Sequence, residues 1–267
     1  MSLNTHDANE ADELEQVGQL HSLRLALKEK EEECSDLQRE LAAFAHSVSH
    51  DLRAPLNHIV GFVSLLKDSL GDSLGEEEAS YIDTILESSD QLRSQIQALL
   101  EYSRLNQAEM YHIEIEFDIL VKEAIEQVER SRPHCQVDWH IDAMPLVFGD
   151  PTMLRQLLLC LFDNAVKYTR SAEQPRVDMV RLSCEEPGFA LFAVKDNGIG
   201  FAPAQEKQIF YVFQRLHHIE EKDGLGMGLA KVQRYVHRHG GRIWAHGEPE
   251  EGASFYFTLP LYQGEDG

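Results

Sequence analysis

Three groups of residues in this chain have the types and spacing to do chemistry. The first is His50-Asp51, inside Phe44-Ala-His-Ser-Val-Ser-His-Asp-Leu-Arg-Ala-Pro-Leu56. Leu41, Phe44, Val48 and Leu52 recur every three or four positions and share one helix face, which leaves His50 off that face. A neutral imidazole is a nucleophile, and an adjoining carboxylate can fix its tautomer and stabilise the imidazolium that forms on attack. Pro55 lacks the N–H that would bond back to Asp51, so a bend is expected there. The second group is Asn164 and Lys167, three apart on a Leu-rich helix and sharing a face. A carboxamide oxygen suits Mg²⁺, and an ammonium suits phosphate. The third is Lys195-Asp-Asn-Gly-Ile-Gly200 together with Gly224-Leu-Gly-Met-Gly-Leu229. Asp196 can accept a hydrogen bond from an exocyclic amine, and Gly198 and Gly200 let backbone approach a flat ring. Gly224, Gly226 and Gly228 precede Leu229 at the start of a helix whose first amides would face phosphate.

These groups need scaffolds of two kinds. From Leu20 a heptad pattern runs with Leu20, Leu27, Cys34, Leu41 and Val48 at position a, and Leu23, Lys30, Leu37, Phe44 and Asp51 at position d. That is a coiled coil weakened by Lys30. A helix from about Asp12 to Leu70 is too long to bury its stripe alone, so a partner helix is implied. Gly71-Asp-Ser-Leu-Gly75 breaks it, and Ser73 with Glu76 reads as a capping box. A second helix carries Tyr81, Ile82, Ile85, Leu86, Leu92, Ile96, Leu99 and Leu100 on its buried side. Two such helices make half of a four-helix bundle, which a homodimer completes. The expected organisation is a disordered start (1–12), a coiled coil (13–40), a dimerising helical hairpin (41–105), a linker (106–112) and a C-terminal domain (113–262).

After residue 112 the texture changes. Alternation marks strands at 113–117, 137–141, 177–185, 189–195, 242–247 and 253–260. Helical spacing marks 118–130, the segment opening on Asp150-Pro151, 203–214 and 228–239. The fold class is therefore α+β and multidomain, a helical hairpin followed by a two-layer α/β sandwich. His237 and His239 fall at a helix end, where a cationic side chain suits the dipole.

Composition narrows the function. The chain has 267 residues, 24 Lys and Arg against 46 Asp and Glu, and a net charge of -22. Nucleic acid and anionic membrane would be repelled. No apolar run is long enough for a membrane span, and the first residues have no signal-peptide pattern. The four cysteines are scattered, with neither metal-ligand nor disulfide spacing, so a reducing, cytoplasmic setting is expected.

The order of motifs carries a resemblance. The segment around His50 resembles the phosphoacceptor box of sensor histidine kinases. Asp163-Asn-Ala-Val-Lys-Tyr168, Lys195–Gly200, Gln208–Leu216 and Gly224–Leu229 resemble the N, G1, F and G2 boxes of the Bergerat ATP fold. Glu251–Pro260 is similar to the closing strand of the kinase version. With the histidine box included, the resemblance covers about residues 35–260, which are similar to the kinase modules of phytochrome-like sensors. The resemblance implies an ATP-dependent protein histidine kinase of a two-component system. His50 would be the phosphoacceptor and Asp51 its base and orienter. Asn164 would hold Mg²⁺, with Lys167 and Tyr168 near the phosphates. Asp196 would read the adenine amine, Phe210 would belong to the nucleotide box, and residues 217–228 would form a lid. That lid holds Glu220, Glu221 and Asp223 with Lys222 as its one lysine or arginine, so Arg215 is the better phosphate contact. The phosphoryl group would pass to an aspartate on a separate response-regulator receiver domain docking at Asn57, His58, Gly61, Phe62 and Leu65. The stretch before residue 41 is too short for a sensory domain, so any input is expected through a partner on the coiled coil.

Two positions depart from the family pattern. Cys160 stands one turn before Asn164, where related ATPases carry a glutamate base and most histidine kinases carry asparagine. A neutral thiol activates water poorly, which counts against an ATP hydrolase. Ala54 stands four residues after His50, where many relatives carry Thr or Asn to position a water for dephosphorylating the regulator. Weak phosphatase activity follows. A catalytically weak dimeric scaffold or phosphotransfer protein that keeps the kinase fold is the alternative reading.

Overall fold

The computed structural model describes residues 4–105, 108–216 and 224–264. They divide into two compact units, Met1–Gln107 and Ala108–Gly267.

The first unit is a helical hairpin. Helix α1 runs from Asn4 to Leu70, with Pro55 inside it. It thus begins eight residues before the expected start near Asp12. A short 3₁₀ turn at Gly71–Ser73 leads to α2, Glu76–Arg104. The expected capping box is not formed: Gly75 is the N-cap and no side chain caps the helix. Ser73 is spent in the 3₁₀ turn. The hairpin contact also differs from the periodicity. Ala45, Ser49 and Leu56 of α1 are buried, with Ile82, Ser89, Ile96, Ala98 and Leu100 of α2. Phe44 and Leu52 of the expected face remain 66% and 44% exposed, as do Tyr81 at 58% and Ile85 and Leu92 at 43%. One chain therefore buries one stripe of each helix and leaves a second apolar stripe open. Lys67 closes the turn end with an ion pair to Asp83 at 2.6 Å.

The second unit contains β1 (Ile113–Glu116), α3 (Phe117–Ser131), β2 (Asp138–Ile141), β3 (Leu146–Gly149), α4 (Pro151–Tyr168), β4 (Arg176–Leu182), β5 (Phe189–Asp196), α5 (Gly228–Arg238), β6 (Ile243–Glu248) and β7 (Gly252–Pro260). The main sheet has five strands in the order β2-β4-β5-β7-β6, and β1 pairs with β3 in a separate ribbon. Among the described residues of the main sheet, β2 and β4 are the one parallel pair. The core lies between the sheet and the three helices. Phe192 and Phe257 meet across β5 and β7, and Leu154, Leu157, Leu158, Leu161 and Phe162 of α4 are fully buried. Strand β3 is not among the expected strands, because its four residues, ending on Gly149 just before Asp150-Pro151, are too few to show a period. The expected helix at 203–214 is absent. Two 3₁₀ turns, Pro203–Gln205 and Gln208–Phe210, stand there, and Phe213 has a φ of 62°.

The start of α4 is secured by a buried clip. Asp150 caps the helix by accepting the Met153 N–H at 3.0 Å. The Asp150 N–H in turn donates to His239 Nε2 at 3.0 Å, and His239 Nδ1 lies 2.7 Å from the Tyr235 carbonyl. The ring therefore donates from Nδ1 and accepts at Nε2, which requires the neutral form. This corrects the expectation of cationic helix-end histidines. Burial holds the His239 imidazole below its ordinary pKa, and burial with the nearby Arg234 does the same for His237.

A pH dependence follows. The unfolded chain protonates His239 near the ordinary histidine pKa, whereas the folded chain resists it. Stability from this group is present above that range and lost as pH falls through it. Thermal melting between pH 7.5 and 5.5 should show a steeper fall for the wild type than for His239→Gln, which accepts the same N–H without titrating. Parallel slopes would remove His239 as the cause.

Candidate functional site

A cleft open to solvent lies between α4, α5 and the end of β5. Among the described residues its walls are Tyr168, Gly200, Phe201, Ile209, Gln214, Leu216, Leu229, Ala253 and Phe255, with Asp196 as the one charged side chain. A mainly apolar slot with one carboxylate in its wall suits a flat heterocycle carrying an amine.

Asp196 ends β5, opposite Val177 on β4 and Ala253 on β7. Its Oδ1 accepts the Gly198 N–H at 2.9 Å. Burial pushes the carboxyl up to about 6, while the N–H groups of Gly198 and Ala253 pull the other way. At neutral pH the group is thus an ionised acceptor with little solvent of its own. The glycines after it are demanded by the chain itself. A Cβ at Gly198 would meet the Tyr168 carbonyl oxygen at 2.4 Å. Gly200 has a φ of +61°, and a Cβ there would meet the Glu248 carbonyl oxygen at 1.9 Å. Gly200 also lines the cleft, whereas Gly198 is not in its wall.

The last turns of α4 form the cleft's other end. The Asn164 carboxamide faces the first residue of α5: a Cβ built on Gly228 would lie 3.9 Å from Nδ2 and 4.0 Å from Oδ1. Lys167 is buried, with its ammonium 4.9 Å from the centre of the Tyr168 ring. Asp163 is occupied by a two-pronged pair with Arg132, Nε to Oδ1 at 2.5 Å and Nη2 to Oδ2 at 3.0 Å. Burial raises the Cys160 thiol to about 11, against the opposing pull of Lys231. Cys160 is therefore protonated at neutral pH and is no base. Among the described residues no group of three or more His, Cys, Asp or Glu could hold a metal. Asn164 as a single carboxamide ligand fits Mg²⁺, which keeps waters and takes its remaining ligands from phosphates.

Of the remaining expected residues, Leu229 lines the cleft, while Phe210 is buried outside the lining and its neighbour Ile209 takes that place. Arg215 is half-buried between the wall residues Gln214 and Leu216. Gly226 has a φ of +69°, and a Cβ there would meet the Gln214 carbonyl oxygen at 2.6 Å. Gly224 has a φ of +102° with open space around it. Lid residues Glu220, Glu221, Lys222 and Asp223 lie outside the described residues. Sequence reasoning missed Phe201, Ile209, Gln214, Leu216, Ala253 and Phe255. Proximity to Gly200 or to the 208–216 motif could have found four of them, but the two on β7 are joined to Asp196 only by strand pairing.

In the helical unit the His50 and Asp51 side chains are both 76% exposed, with Nδ1 and Oδ1 3.3 Å apart. Downstream on the same helix Asn57, His58 and Gly61 are exposed, as are Phe62 at 71% and Leu65 at 64%.

Known proteins share this arrangement. Residues 40–108 match the His Kinase A (phospho-acceptor) domain, and residues 149–263 match the histidine kinase-, DNA gyrase B- and HSP90-like ATPases. The chain is 34% identical over 229 residues to cyanobacterial phytochrome A of Nostoc sp. (strain PCC 7120 / SAG 25.82 / UTEX 2576), covering 85% of this chain and 30% of that protein. A structure of full-length ShkA in complex with AMPPNP is 30% identical, with a TM-score of 0.56 over 82% of this chain and 46% of ShkA. The histidine kinase ThkA in complex with the response regulator TrrA shares the fold at 19% identity and a TM-score of 0.57, covering 84% of this chain and 64% of that one. A helical hairpin presenting His50-Asp51 is followed by a sheet domain with an apolar, aspartate-based cleft, and both parts match their family descriptions in this order, so the chain belongs to the histidine kinases.

Proposed function

We propose that the chain transfers the γ-phosphoryl group of ATP to His50 and passes it on to an aspartate of a separate response-regulator receiver domain. The observation that carries this reading is the exposed His50-Asp51 pair in a chain that also holds the Asp196 cleft. Adenine would enter the apolar slot with its exocyclic amine donating to Asp196. Phosphates would extend toward Asn164, Lys167 and the first amides of α5, with Arg215 at the edge. Mg²⁺, when bound, neutralises phosphate oxygens, and Asn164 is the residue that would hold it.

At the acceptor, Nδ1 lies toward Asp51, so its N–H donates to the carboxylate and the Nε2 lone pair is free to attack. The Nε2–P bond forms as the bond from Pγ to the β-bridging oxygen breaks, and ADP leaves. Asp51 stabilises the imidazolium and takes up the Nδ1 proton. Positioning and charge neutralisation supply most of the catalysis. The second apolar stripe on the hairpin, with Phe44, Leu52, Tyr81, Ile85 and Leu92 exposed, supports a homodimer. The exposed surface beyond His50 is where the receiver would dock, and the N-terminal coiled coil is where an upstream sensory protein would act. No helix among the described residues is long and apolar enough to cross a membrane.

The test is incubation with γ-labelled ATP and Mg²⁺, followed by a candidate receiver. The label should be acid-labile and alkali-stable, and should move to the receiver. Nucleotide binding without label would leave only the scaffold reading. Steady phosphate release without labelled protein would indicate a hydrolase.

Ala54 is exposed on α1, close to the phosphoacceptor, and offers no polar side-chain atom. Replacing it with threonine should raise dephosphorylation of a phosphorylated receiver about 10-fold, the value of one added hydrogen bond to the attacking water. An unchanged receiver half-life would show that water positioning lies elsewhere.

A further inference from the structure

The ATP-binding unit is tied down before its first strand begins. Arg238 donates to the Ala108 carbonyl oxygen, and the Tyr111 N–H donates to Asp150 Oδ2 at 3.0 Å. The His112 ring stacks on Phe148 at 5.5 Å and meets the edge of His239 at 5.9 Å. The holding groups come from the C-terminal end of α5, the N-cap of α4 and, through Phe148, strand β3 just before that cap. Those ends are themselves joined, because the Asp150 N–H donates to His239. The opposite ends of the two helices face each other at the cleft. There Asn164 stands beside Gly228, and Tyr168 and Leu229 form walls. Helix α5 has 11 residues, a rod of roughly 16 Å at 1.5 Å per residue. A load placed on one end of so short a rod is felt at the other.

We infer that Asp150, Arg238 and His239 form a tether that couples nucleotide binding at one end of the α4–α5 pair to the hold on residues 108–112 at the other. They are positioning residues for phosphoryl transfer, since none of them lines the cleft. Two states are required, tether closed and tether open, and nucleotide must bind one of them better. Coupling of this kind is reciprocal: whatever factor nucleotide adds to the hold, the hold adds to nucleotide affinity. The inference rests on the nucleotide reading of the cleft.

The experiment uses the full chain, AMPPNP and amide hydrogen exchange. The Tyr111 amide is itself a tether bond, so its exchange reports the hold directly. AMPPNP should slow exchange across residues 108–112 by about 5-fold or more. Arg238→Ala and Tyr111→Pro, which deletes the donor N–H, should each weaken AMPPNP binding by a comparable factor, with Arg238→Lys restoring most of the loss. AMPPNP binding that leaves exchange at 108–112 unchanged overturns the inference, and so does wild-type affinity in either folded variant. The wild-type exchange measurement decides the matter even if a variant does not fold. No AMPPNP binding at all would instead overturn the nucleotide reading itself.

Discussion

Substituting glutamine for His50 is expected to abolish acid-labile labelling from γ-labelled ATP while leaving the fold and nucleotide affinity intact. The side chain is 76% exposed and pairs with Asp51, so truncating its chemistry removes no core packing. Glutamine keeps the length and a hydrogen bond to the carboxylate. Its amide nitrogen has no available lone pair, and so it cannot form the N–P bond. The loss should exceed about 1000-fold, since the acceptor atom itself is gone. The companion change, Asp51→Asn, keeps an oxygen near Nδ1 but loses the charge that stabilises the imidazolium. A fall of about 100-fold is expected for that positioned proton acceptor. Residual acid-labile label on the His50→Gln protein, mapped to another histidine, would move the phosphoacceptor elsewhere. Equal activity of the Asp51→Asn protein would leave Asp51 with no part in the step.

The second large effect concerns Asp196. Burial lifts its carboxyl to about 6, so its ionisation can be read in an accessible pH range. An adenine amine needs an acceptor, and a protonated carboxyl turns one of its oxygens into a donor. Nucleotide affinity should therefore be level above about pH 7 and fall by up to about tenfold per pH unit below 6. Stability of the nucleotide-free protein has the opposite sign. A raised carboxyl pKa means that this group's stabilisation is complete below the ordinary aspartate range and is lost as pH rises through about 6. The buried charge then costs up to about 3 kcal/mol at pH 8, from a shift of about two units at 1.36 kcal/mol each. Asp196→Asn should bind AMPPNP about 10-fold more weakly at pH 8, as a charge-assisted hydrogen bond becomes a neutral one. Its affinity should also lose the acid dependence. Titration calorimetry of both proteins from pH 5.5 to 8 checks this, and a wild-type profile that stays flat would exclude Asp196 as the amine acceptor.

How much of this was legible in residue order differs from part to part. The long α1, the proline-led α4 and the outer strands were readable because each announces itself within about a dozen residues through period, cap or alternation. The 203–214 segment misled because Gln208–Leu216 has helical spacing of apolar residues, yet it is folded into 3₁₀ turns against the cleft, with Ile209 facing in. Ser73 and Glu76 have capping-box spacing, but the chain used Gly75 as the cap. His239 sat where a helix-end cation is ordinary, and only its contact with the Asp150 N–H revealed a buried neutral ring.

The sequence by itself determined the order of the boxes and the residue types within them, the His50-Asp51 pair and Asp196 among them, because these depend on residue type at short spacing. Tertiary structure alone decided what surrounds them. It joined Ala253 and Phe255 of β7 to Asp196 through strand register, and set Asn164 against Gly228 through helix packing. It also made Asp196 and Cys160 unusual acids through burial. Residue identity names the groups that can react. Desolvation and long-range pairing, which have no signature in local spacing, set how strongly they do so.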